Sequence, residues 1–93
     1  MRKPANARRS MSSSVAPEFW ERFNRLSLEV QDRARKQYAL WLGNHWHPSL
    51  HFKRVGRYWS VRVDSSHRAL GIEHDGTIHW FFIGRHDAYE ERI

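Results

Sequence analysis

The run Ile78, Trp80, Phe81, Phe82 and Ile83, inside the stretch TIHWFFIGRHDAY at 77–89, constrains this chain more than any other feature. It is apolar at nearly every position, as a strand buried on both faces should be, and that places it at the centre of a sheet. Gly84 ends the run. Arg85, His86, Asp87 and Tyr89 follow directly, four polar groups at the mouth of a rigid element, where reactive side chains are held well.

The chain ahead of that strand divides by periodicity. Residues 1–14 (MRKPANARRSMSSS) are basic and Ser-rich with nothing to bury, and read as a disordered tail. A single domain then spans 15–93. Pro17 and Glu18 suit the first turn of a helix, and Phe19, Phe23 and Leu26 recur on one face of it. Ser27 can cap a second helix whose stripe is Val30, Ala34, Tyr38, Trp41 and Leu42, stopped by Gly43 and Asn44. Alternation then predicts strands at 50–55, 58–63 and 67–73. Asp75 and Gly76 form a hairpin turn into the strand at 77–83. Helix, helix and meander make an α+β domain, with an N-terminal helical hairpin packed on one face of a three- to four-stranded antiparallel sheet. The other face is left for function.

Charge limits the partners. The net charge is +6 and the sequence pI about 10.5, which suits nucleic acid or an acidic protein. Arg2, Lys3, Arg8 and Arg9 carry four of those charges in the tail. Within the body, Lys53, Arg54, Arg57, Arg62 and Arg68 form a band with one nearby acid, Asp64. There is no cysteine, so thiolate metal sites and disulfides are excluded and a reducing cytoplasm is expected. His45, His47 and His51 do not have a recognised zinc-ligand spacing. No window approaches the length of apolar chain that a membrane span needs.

The ordered set HPSLHFKRV, YWSVRV, HRALGI, the Asp-Gly hairpin and WFFIGRHDAY, following two helices, resembles the RelE/ParE superfamily of toxins from bacterial type II toxin–antitoxin systems. The resemblance runs from about residue 17 to 89. It implies a cytoplasmic toxin that acts as a ribosome-dependent, metal-free mRNA endonuclease and inhibits translation. The ParE branch instead implies a DNA gyrase inhibitor without RNase activity, and a third reading is a relic that only binds its antitoxin or nucleic acid. An acidic cognate antitoxin, the ribosome and mRNA are the implied partners, with no cofactor and no membrane. By position, Arg68 matches the arginine that opens the third strand in RelE-like nucleases. His86 stands where relatives carry a catalytic Arg or His after the last strand, and Tyr89 lies near a C-terminal tyrosine of some members. Lys53 and Arg54 fall where RelE has a lysine-rich stretch.

Metal-free RNA cleavage needs a base for the 2′-OH, an acid for the leaving 5′-oxygen and cations for the phosphorane. Imidazole changes protonation near neutral pH, so His86 suits either proton transfer. Guanidinium forks at Arg62 and Arg68 grip phosphate in two places. The candidate catalytic set is therefore Arg62, Arg68, His86 and Tyr89, with Lys53, Arg54, Tyr58 and Arg85 as RNA-binding support. Arg62 and Arg68 share a face only if the strands pair in an even register. That register is favoured, because two arginines on the helix-packed face would be buried without partners.

Overall fold

Two helices form where the caps allow. The computed structural model describes residues 10–90, with side chains as far as residue 88. Helix α1 (Pro17–Phe23) starts on its proline, and α2 (Leu28–Gly43) starts after Ser27, whose hydroxyl accepts from the Val30 N–H at 3.2 Å. Gln31 is buried under the link between them and donates to the carbonyls of Phe23 and Leu26 at 3.0 and 3.1 Å. Those carbonyls lie at and beyond the end of α1, where the helix itself supplies no donor.

The strands are β1 (Ser12–Val15), β2 (Lys53–Val55), β3 (Tyr58–Arg62), β4 (His67–His74) and β5 (Thr77–Arg85), followed by a short helix α3 (His86–Glu90). Their order is β1-β5-β4-β3-β2, with β2 to β5 an antiparallel meander and β1 parallel to β5. Phe23, Val30 and Trp41 from the helices pack on Val61, Val63, Ala69, Ile78, Trp80 and Ile83, so the helical hairpin covers one face of the sheet. The α+β architecture is the one expected. The sheet, however, has five strands rather than three or four, and it is mixed.

The extra strand corrects two expectations. Residues 12–14 belong to the fold and not to a tail, Met11 before them packs on the core, and residues 1–9 lie outside the described residues. The strand at 77–85 is not central, since β4 holds that place. One physical reason covers both. A meander alone would leave β5 as an edge strand, with a row of unpaired backbone groups beside its apolar side chains. β1 pairs with its first half, and α1 then turns along the rest. The predicted strand at 50–55 is also shortened, because Pro48–Leu50 forms a 3-10 turn that drops Leu50 and Phe52 into the core.

The face away from the helices carries a second, smaller core. A bulge between Leu70 and Gly71 leaves Phe81 without a cross-strand partner, so Phe81 and Phe82 both turn away from the helices. Leu70 and Phe82 are buried there beneath Tyr58 and Phe81. Gly71 is required at the bulge, where a Cβ would stand 2.5 Å from the Ile78 side chain and 2.9 Å from the Trp80 ring. No helix among the described residues is long and apolar enough to cross a membrane.

Candidate functional site

The turn joining β3 to β4 organises one end of the sheet. Asp64 accepts from the Ser66 N–H at 2.8 Å and from Arg33 of α2 at 3.2 Å, and its other contact is the His67 ring at 3.0 Å. Burial would raise its carboxyl pKa. The bonds from His67, Ser66 and Arg33 outweigh that and lower it to about 2. With the turn fixed, its carbonyls serve as acceptors for the site. Arg68 donates through Nη1 to the carbonyls of Asp64 (2.7 Å) and His67 (2.9 Å), and the His86 N–H donates to the carbonyl of Ser66 at 2.7 Å.

The register then sets out the site. Arg62 lies opposite Arg68, and Arg68 opposite Gly84, so the three form one row across β3, β4 and β5. This is the even register, with both arginines on the face away from the helices. The next row is Lys53, Ser60, Leu70 and Phe82. Neither row contains an acid. The Arg62 side chain has no hydrogen bond or ion pair among the described residues, whereas Arg68 is steered by the two carbonyls. Gly84 ends the row without a side chain, and the tip of the Phe82 ring lies over it, where a Cβ would meet that ring at 3.0 Å. His86 opens α3 two residues beyond Gly84, at the same end of the sheet.

No family model matches the sequence, and neither does any curated protein. Solved structures do. A chain of the RelB–RelE antitoxin–toxin complex from Methanococcus jannaschii superposes with a TM-score of 0.67 at 11% identity, over 85% of this chain and 96% of that one. The chain has a RelE-like fold. A chain of the toxin–antitoxin complex RelBE2 from Mycobacterium tuberculosis gives 0.58 at 14% identity, over 82% and 98% of the two chains. A copper-bound mutant toxin from Helicobacter pylori gives 0.56 at 12%, over 84% and 97%.

On this RelE-like sheet the expected site residues separate. Lys53, Tyr58, Arg62 and Arg68 share the face away from the helices, with Tyr58 half-buried against Phe81 at 5.3 Å between ring centroids. Arg54 pairs with Trp59 and lies over that ring at 5.7 Å, which puts it on the helix side. Arg85 pairs with His67 and is held by Asp87 at 3.5 Å, so it too leaves the arginine row. Tyr89 belongs to α3, and its side chain lies outside the described residues. His45 and His47 are engaged elsewhere. His45 contacts the Trp41 carbonyl and the Met11 N–H, and His47 contacts Ser49.

Sequence reasoning passed over Arg22. It projects from α1 with its guanidinium carbon 4.8 Å from the centroid of Phe82. The spacing of the α1 residues points only to helix packing, and nothing in it places α1 along β5. The available signal was that an edge beside so apolar a strand must be covered.

Proposed function

We propose that this protein is the toxin of a toxin–antitoxin system and cuts mRNA on the ribosome without a metal, using the face that carries Arg62 and Arg68 together with His86 at the same end of the sheet. One observation carries the reading. Two arginines stand directly opposite each other on neighbouring strands with no acid in their row, an arrangement that costs stability. A fold gains nothing from such a pair unless an anion comes between them. The RelE-like fold of the neighbours, two of them solved as toxin–antitoxin complexes, agrees with the reading.

In the proposed reaction Arg68, already oriented by the turn carbonyls, and Arg62, with its donors unspent, bind the non-bridging oxygens of the scissile phosphate. They stabilise the charge that builds as the 2′-oxygen attacks phosphorus and the 5′-oxygen departs. His86 handles one of the two proton transfers, an effect worth roughly 10²- to 10⁴-fold. Lys53 and Tyr58 hold the flanking nucleotides. An acidic antitoxin would cover the same face and compete for the arginines.

Brief expression in bacteria, with mRNA 5′ ends mapped by primer extension beside Arg62→Ala and His86→Ala controls, tests this directly. New ends inside translated codons that vanish in both variants are expected. Intact mRNA together with arrested growth would replace the nuclease with inhibition of DNA gyrase.

A further inference from the structure

Arg22 has a position that packing alone does not require. Its guanidinium lies over the Phe82 ring, and the tip of that ring lies over Gly84, because a Cβ on Gly84 would meet it at 3.0 Å. Gly84 is in turn the cross-strand partner of Arg68. Directly opposed residues have their Cβ positions about 4.5–5.5 Å apart. Arg22 therefore stands at one end of the row whose other members are Arg68 and Arg62. A guanidinium stacked on a ring presents its plane to the π-face and keeps its N–H donors in that plane, pointing past the ring. None of those donors has a hydrogen-bond partner or an acid among the described residues, although the side chain is half-buried. Methionine or leucine would cover Phe82 as well. A half-buried charge with idle donors is the costlier choice, and an anion recovers that cost.

We infer that Arg22 is the third phosphate contact of this face, binding a backbone phosphate of single-stranded RNA next to the one held by Arg62 and Arg68. The inference rests on the proposed RNA-cleaving function. Contact from α1 gives the RNA a direction of passage, from Lys53 on the β2 side across the row to α1 beside β5. Adjacent phosphates on a single strand can then be gripped by different secondary-structure elements.

Equilibrium binding of a fluorescently labelled single-stranded RNA to the full chain, measured by anisotropy across a salt series, tests it. Each phosphate contact on a single strand contributes about 0.7 to the slope of log K against log salt. Arg22→Met keeps an apolar stem on Phe82, and is expected to weaken binding several-fold and flatten the slope by about 0.7. Arg22→Lys should restore the slope, and Arg25→Met, on the exposed link after α1, should leave it near the parent value. Arg22→Gln is the second charge-free variant, and urea midpoints verify that each protein is folded. If Arg62→Met weakens binding and neither charge-free Arg22 variant does, Arg22 is only a cover for Phe82. Equal losses at Arg22 and Arg25 would also overturn the contact, leaving a general charge effect. A parent chain that binds no RNA would instead remove the proposed function itself.

Discussion

Arg62 and Arg68 face each other across one strand pair, yet they are held so differently that removing them should have opposite effects on stability. Arg68 donates to two turn carbonyls, and those bonds to a charged donor are worth about 1.5–3 kcal/mol together with the desolvation they offset. Arg62 makes none among the described residues and repels its neighbour, at a cost of roughly 0.2–1 kcal/mol. Arg62→Thr is thus expected to hold or raise the urea midpoint while abolishing cleavage, and Arg68→Thr to lower both. A fall in stability of the same size for each would mean that Arg62 has a structural partner, and would weaken the case for a site kept at the expense of the fold. Asp64 gives the same turn a pH limit. Its carboxyl pKa is lowered in the folded chain to about 2, so the unfolded chain binds its proton first as pH falls. The stability it contributes is complete above an ordinary carboxylate pKa and is lost between about pH 4 and pH 2. Asp64→Asn should flatten that part of the stability–pH curve. An unchanged curve would show that other carboxylates govern acid unfolding.

Among the elements, β1 shows where sequence reading stops. The helices and the meander were legible because their apolar residues recur at 3.6 and at 2 positions, whereas the even register was only favoured, on the cost of burying arginine, and strand pairing had to decide it. Ser12, Ser13 and Ser14 have neither periodicity nor strand propensity, and only the neighbouring edge makes them a strand. Side chains then fasten it: Ser13 to Tyr38, Ser14 to His79, and the Met11 N–H to Nε2 of His45 at 2.9 Å. The last of these fixes a tautomer. A backbone N–H only donates and the Trp41 carbonyl only accepts, so His45 must carry its proton on Nδ1, which it gives to Trp41 at 2.6 Å. His45→Ala should therefore cost about 1–3 kcal/mol, from the unsatisfied donor and acceptor it leaves behind. Amide exchange should quicken first at residues 11–16. Quickening spread evenly over the helices would indicate that His45 matters through its stacking on Trp41 at 4.0 Å instead.

Across the whole molecule the question is which charges select and which merely attract. Four of the six net positive charges lie on Arg2, Lys3, Arg8 and Arg9, and removing them leaves a body of +2. Composition showed the excess but not its division, because the facing of each arginine depends on strand register and on where α1 runs. Arg54, counted with the band in sequence, and Arg85, expected as RNA-binding support, belong to other surfaces, while Arg22 on α1 lies over Phe82 of the sheet. Charges near the end of a chain add to RNA affinity through counterion release, without fixing where an RNA is cut. A chain lacking residues 2–9 should therefore bind single-stranded RNA more weakly, with its salt slope reduced by at most about 2.8, the share of four contacts at about 0.7 each. The mapped 5′ ends in expressed mRNA should stay where the full chain puts them, since the arginine row and His86 are intact. If truncation moved or erased the cuts while the shortened protein stayed folded, the N-terminal basic residues would have to be counted as part of the recognition site.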